Sequence, residues 1–315
     1  MTIPPSAVLA DSPPEVRACT WTRLPSGGGF SGGRVWRGDE NGTARFALKR
    51  WQAGVTTERL MQIHHSMRAV SEFEFTPKVV GTVIPREGHN WDLTTWLDGR
   101  PELLDTPSHV QLLTAGRELA HLHRVWLPER AEVGPCLAFT RRTRILARWE
   151  STRFHFVGTP SEVAEVVSSL EVVRARHEGV RNQLMAMTHN PERRVGIHGD
   201  FWPENILFQH DRLTAVLDFS NVGFDHAEVD LGRLFADVPG ADRPMISAAV
   251  GAYNATAAFD LSVPLVEVLA STGRLCSLAN WHLRLNAGSP DAGLLSAALP
   301  RVRRLVSLVL AADVG

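Results

Sequence analysis

Short runs in which apolar and polar residues alternate occupy much of the first hundred positions, and spacings of three and four take over afterwards. The segments "RVWRG" and "ARFALKRW" flank "DENGT", and alternation on both sides of Asn41-Gly42 predicts a hairpin with those two residues in its turn. Before the β-like "PKVVGTVI" and "NWDLTTWLDGRP" comes "TTERLMQIHHSMRAVSEF", whose Leu60, Ile63, Met67 and Val70 recur at helical spacing. One helix therefore interrupts a small sheet.

Beyond "LDGRP" the pattern turns helical. In "DTPSHVQLLTAGRELAHLHRVW", Thr106 is the expected N-cap, Pro107 the first helical residue, and Leu112, Ala115, Leu119 and Leu122 form one apolar face. Thr159, Pro160 and Glu162 form a capping-box pattern ahead of a second, long helical run, and 242–313 is again helical in pattern. The expected fold class is α+β, with a small β-rich N-terminal lobe over 1–97 and a larger helical C-terminal lobe over 98–315, joined near Asp98-Gly99. Within the second lobe "NILF" and "LTAVLDF" read as two short strands. The "HGDFWPE" before them is kept from helix by its glycine, tryptophan and proline.

Composition narrows the picture without choosing a function. The 315 residues are 44% hydrophobic and 21% charged, ordinary for a globular protein, and the formal net charge of −1 provides no basic field for nucleic acid or an anionic membrane. Three scattered cysteines, Cys19, Cys136 and Cys276, form no CxxC pair, which points away from a disulfide framework or a cysteine-rich zinc site. No apolar run has signal-peptide or membrane-spanning character, so a cytoplasmic protein is expected.

Chemistry enters with "HGDFWPENILF". Its spacing is H-x-D-x-x-x-x-N, and Asp218 follows thirteen residues after Asn205 at the end of an apolar strand, the residue set of phosphoryl transfer. Asp200 can accept the proton of a substrate hydroxyl, while Asn205 and Asp218 are hard oxygen ligands suited to Mg²⁺. Upstream, "SGGGFSGGRVWRG" is a glycine-rich turn, with Gly28, Gly29, Ser31 and Gly32 placed to let backbone amides approach phosphates, and "FALKRW" carries Lys49 on the next strand. Glu58, nine residues on, is the candidate partner of Lys49. A Walker A loop is absent, since Arg34 and Val35 follow Gly33.

These motifs, with "ELAHLHRV" and "LDFSNVGFDHAEVDLGRL", resemble those of the aminoglycoside phosphotransferase and choline kinase-like small-molecule kinases, relatives of the protein kinases. The resemblance spans about 27 to 235. It implies a two-lobed protein-kinase-like fold, ATP or GTP between the lobes, Mg²⁺, and transfer of the γ-phosphate to a hydroxyl of a small-molecule acceptor. "HGDFWPEN" replaces the H-R-D-L of protein kinases and no A-P-E follows Asp218, which points away from a protein substrate. Asp230 is expected to brace a loop or helix start, and His198 to hold the loop. Of two alternatives, one is a kinase-like protein that binds nucleotide or ligand without transfer. The other is a metal-dependent hydrolase built on His121, His123, His198, Asp200 and Asp218. The acceptor is expected against the arginine-rich "AFTRRTRILARWESTRFHF", or against Trp281, His282 and Arg284. Such a lining disfavours a polycation.

Overall fold

The computed structural model describes residues 6–10, 12–25, 33–128, 132–187, 192–286 and 292–311. From the N-terminus run α1 (Ser6–Leu9), α2 (Pro14–Arg17), β1 (Thr20–Arg23), β2 (Arg34–Glu40), β3 (Thr43–Arg50), α3 (Thr57–Ala69), β4 (Ile84–Arg86) and β5 (His89–Thr95). Then come α4 (His109–Val125), β6 (Glu132–Gly134), α5 (Leu137–Ser151), α6 (Pro160–Arg174), α7 (His177–Met187) and β7 (Glu192–Ile197). The chain continues through β8 (Ile206–Gln209), β9 (Arg212–Val216), β10 (Gly223–His226), α8 (Glu228–Asp237), α9 (Arg243–Asn254), α10 (Val263–Asn286) and α11 (Ala292–Ala311).

Two compact units result, one of residues 1–100 with 205–220 and one of 101–204 with 221–315. The first break falls close to the Asp98-Gly99 join. The hairpin β8–β9 belongs to the first unit, whereas the sequence boundary leaves it in the second.

The first unit is built on an antiparallel sheet of order β1-β2-β3-β5-β4. Asn41 and Gly42 both take positive φ, 52° and 81°, as a two-residue hairpin turn demands, so the predicted β2–β3 hairpin forms. Alternation sends Trp36, Phe46, Leu48, Trp91 and Leu93 into one core with Val8, Val16 and Trp21, and the rings of Trp36 and Trp91 lie 5.2 Å apart. Helix α3 buries Leu60, Ile63 and Met67 as predicted, and Thr56 caps it by accepting the Arg59 N–H. The hairpin β8–β9 is tied to this unit through reciprocal Arg100 and Phe208 backbone bonds of 2.9 and 2.8 Å and through Val216 N–H to the Phe75 carbonyl, 2.8 Å.

The second unit is mainly helical, with a small sheet of order β10-β7-β6. Leu112, Ala115, Leu119 and Leu122 are buried along α4 as the spacing requires. The helix begins two residues later than Thr106 and Pro107 suggest. Ser108 accepts the Gln111 N–H at 3.1 Å while Gln111 Oε1 accepts the Ser108 N–H at 2.9 Å, and this reciprocal box fixes the start. The Thr159–Glu162 box forms as predicted, but its long helical run divides into α6 and α7 where the His177 ring donates to the Arg174 carbonyl.

Three helices of this unit are stapled by His282. Trp149 Nε1 on α5 can only donate, so His282 Nδ1 on α10 accepts from it at 3.1 Å, and His282 Nε2–H faces Ser169 Oγ on α6 at 2.7 Å. The ring is fully buried, and burial lowers its pKa from 6.5 to about 4. Unfolded His282 therefore takes up a proton below 6.5 that the folded ring refuses until about 4, so stability is full above 6.5 and declines as the pH falls through that window. Thermal unfolding at about pH 4 and about pH 8 should differ by a term on the order of 3 kcal/mol that His282→Leu removes.

Candidate active site

The nucleotide-side candidates in the first unit meet at the open end of β3 and β9. Lys49 Nζ lies 2.9 Å from Asp218 Oδ1, joining residues 169 positions apart, and the same ammonium stands 3.9 Å from the centroid of the Trp51 ring. Asp218 sits at φ 56°, a left-handed turn that ends the strand, and its Oδ1 accepts the Ser220 N–H at 3.4 Å. Arg59 of α3 donates to the Ser220 carbonyl at 2.9 Å. The Asn205 carbonyl accepts the Leu217 N–H at 2.8 Å, which brings Asn205 alongside the residue before Asp218. Asn205 and Asp218 both carry hard oxygens of the kind magnesium takes, and the Asp218 carboxylate is 40% exposed.

Two parts of the sequence reading fare differently here. Gly28, Gly29, Ser31 and Gly32 lie outside the described residues. Glu58 does not meet Lys49. It is exposed in the first turn of α3, where its own backbone N–H and the Thr56 hydroxyl hold its carboxyl below the usual range. The buried carboxylate next to Lys49 is Asp92, its cross-strand partner on β5, which bonds the buried His64 of α3 at 3.1 Å. A charged residue amid "NWDLTTW" was the available signal. Asp92 is what a strand pairing, unlike a helix count, would have indicated.

In the second unit, Asp200 follows a turn held from behind by Asp230. That fully buried carboxylate accepts the His198 N–H at 2.7 Å and the Gly199 N–H at 2.8 Å, the loop-bracing role expected of it. Its Oδ2 also lies 3.0 Å from His123 Nε2. His123 Nδ1 in turn meets, at 2.8 Å, the hydroxyl of Tyr253, the single tyrosine of the chain. Burial, then Glu228 and Asp230, keep that hydroxyl protonated well above its ordinary range, so Tyr253 donates to His123, which donates to Asp230. His198 Nδ1 accepts the Asp200 N–H at 3.3 Å. Gly199 has φ 76°, and a Cβ there would stand 2.3 Å from the Asn221 carbonyl oxygen, so only glycine fits.

Arg233 Nη2 of α8 reaches Asp200 Oδ1 at 3.3 Å, its Nη1 reaches Ser277 Oγ at 3.4 Å, and its guanidinium lies 4.9 Å from the Trp202 ring. Arg301 of α11 lies 4.3 Å from the same ring and bonds Glu204 at 3.3 Å and Asp237 at 2.9 Å. Asp200 opens onto a cavity of about 390 Å³ walled by α5, α8, α10 and the ends of β7 and β10. Arg141 and Arg142 line it, as the arginine-rich segment suggested, but Arg144, Arg148 and Arg153 are exposed. His282 belongs to the helix staple instead. His121 faces Arg124 at the surface while His123 is buried with Asp230, so the paired-histidine metal site does not form. Among the described residues no group of three or more His, Cys, Asp or Glu could hold a metal, and no helix is long and apolar enough to cross a membrane.

A β-rich N-terminal unit followed by a helical C-terminal one is the fold of the kinase-like phosphotransferases. Among solved structures the chain is similar to spectinomycin phosphotransferase in complex with ADP and spectinomycin, at TM-score 0.68 and 11% identity over 93% of both chains. It is also similar to macrolide 2′-phosphotransferase from Brachybacterium faecium, at 0.57 and 18% over 91% of this chain and 92% of that one. An aminoglycoside phosphotransferase from Alicyclobacillus acidocaldarius gives 0.55 and 16% over 99% and 96%. At these identities the likeness is one of fold. The phosphotransferase enzyme family matches residues 20–262, and the chain belongs to it. No curated protein matches the sequence.

Asp230→Ala would leave two buried backbone N–H groups and the His123 ring without their acceptor. At about 1–3 kcal/mol for each stranded donor, the unfolding midpoint should drop sharply, and hydrogen exchange at Gly199 should quicken. Protection at Gly199 equal to that of the unsubstituted chain would show that the turn stands without Asp230.

Proposed function

We propose that the protein moves the γ-phosphate of ATP or GTP to a hydroxyl of a small molecule in a Mg²⁺-dependent reaction. The observation that carries the reading is the Lys49–Asp218 ion pair, a strand lysine and a strand-end carboxylate in contact across most of the chain. In the proposed roles Lys49 holds nucleotide phosphate oxygens, an interaction strengthened because the ammonium is three-quarters buried against Trp51. Asn205 and Asp218 hold the magnesium ion, which neutralises charge on the phosphates when bound. Asp200 accepts the proton of the acceptor hydroxyl. Its backbone is fixed by the His198 and Asp230 bonds, and its Oδ1 is oriented by Arg233, so the base is positioned before substrate arrives. The cavity beside it receives the acceptor.

A kinase-like protein that binds without transferring phosphate would not need a carboxylate held beside an acceptor-sized cavity. Asp200→Asn keeps the shape and removes the proton acceptor, so ADP formation should fall roughly two to four orders of magnitude with nucleotide affinity little changed. Turnover near that of the unsubstituted enzyme would remove Asp200 from the role. Lys49→Ala and Asp218→Ala should each weaken Mg²⁺-dependent ATP binding by at least about tenfold in calorimetry. Undiminished affinity in both would overturn the nucleotide site.

A further inference from the structure

We infer that the cavity beside Asp200 holds an anionic group of the acceptor, a carboxylate or phosphate, against Arg142, so that the acceptor is a small hydroxylated anion. The inference rests on the phosphotransfer reading for the hydroxyl and on its own observations for the anion.

Three guanidiniums line the cavity: Arg141, Arg142 and Arg233. Two have carboxylate partners. Arg141 Nη2 bonds Asp225 at 3.0 Å, and Arg233 bonds Asp200 at 3.3 Å. Arg142 has none among the described residues. Its Nη1 donates to the Leu269 carbonyl and to Thr272 Oγ1, each at 2.6 Å, and both acceptors are neutral. Desolvation by burial is the main effect working against its charge. Of the three guanidiniums that line the cavity, Arg142 is thus the one without a carboxylate partner among the described residues.

A cation withdrawn from water without a counter-ion costs several kcal/mol, so a chain that fixes one at the wall of a cavity has a use for its charge there. Gly273 of α10 makes room for the free edge: a Cβ at that position would stand 3.0 Å from Arg142 Nη2. The planar fork suits the paired oxygens of a carboxylate or phosphate. Ile145, Ile197 and Val229 supply apolar wall, and Asn221, Ser277 and Asn280 supply groups for further hydroxyls. The volume, about 390 Å³, lies near the lower end for small-ligand sites and suits a compact anionic group. An ammonium group in this position would meet the uncompensated charge and be repelled.

The test uses the full chain and two matched probe sets, glycerol and glucose as neutral polyols, each with its carboxylate, phosphate and ammonium counterpart. Calorimetry should show the anionic form of at least one set binding at least about tenfold more tightly than the neutral form, with the ammonium form weakest. Arg142→Gln should abolish that preference, Arg142→Lys should keep part of it, and ATP affinity should stay unchanged in both. Carboxylate against phosphate tells which anion is preferred. Equal binding of neutral or ammonium forms, a preference that survives Arg142→Gln, or no binding of any form to the unsubstituted protein would each overturn the subsite, and the first and last need no variant to fold. ADP release separates the two readings. Anions that bind at Arg142 without ADP release in the presence of ATP would leave the subsite and remove the transfer, whereas neutral or cationic polyols phosphorylated as well as the acids would do the reverse.

Discussion

The second unit is organised around a carboxylate that never reaches solvent. Asp230 is a buried carboxylate surrounded by donors, and burying such a group is costly unless hydrogen bonds satisfy it. The His198 and Gly199 amides and the His123 ring meet that need. Because the donors come from a loop and from α4, satisfying the carboxylate fixes the turn before Asp200 to the helical core. Tyr253 extends the chain to α9 and sets the His123 tautomer. Position of Asp200 and stability of the unit thus depend on the same bonds, which holds the turn rigidly.

In the first unit the corresponding constraint is partial exposure. Lys49 and Asp218 attract one another, yet they are only 24% and 40% exposed, neither sealed nor fully solvated. A sealed pair would resist opening, and a fully solvated one would contribute little. The pair ties the end of β9 to β3 while leaving both charged groups partly open to solvent. Arg59 fixes the Ser220 carbonyl, so α3 is joined to the segment after Asp218 through an arginine rather than a glutamate.

The local signals were legible where chemistry is sequential. Asn41-Gly42, the Thr159–Glu162 box and the apolar face of α4 each express a rule that acts over a few residues, and each predicted element appears. What escaped depends on competition between neighbouring caps or on partners far apart in the chain. Ser108 outcompeted Thr106 because Gln111 could answer it, and His282 left the acceptor wall because Trp149 and Ser169 gave its two nitrogens opposite roles. Glu58 was chosen by distance along a helix, whereas Asp92 lies opposite Lys49 through strand pairing that no periodicity reveals. The pairing of arginines with carboxylates, which singles out Arg142, is likewise a property of packing alone.

The cavity wall has a further consequence for how such a protein can change. Gly273, Cys276, Ser277 and Asn280 all lie on α10, which begins one residue past the stretch matched by the phosphotransferase family. Part of the cavity wall therefore lies beyond that stretch, while Arg141, Arg142, Val229 and Arg233 lie within it. Substitutions along one face of a single late helix can reshape that wall while the turn at Asp200 and its buried support stay as they are. Two chains alike from 20 to 262 can therefore still differ in the shape of this cavity, through a few residues of one helix.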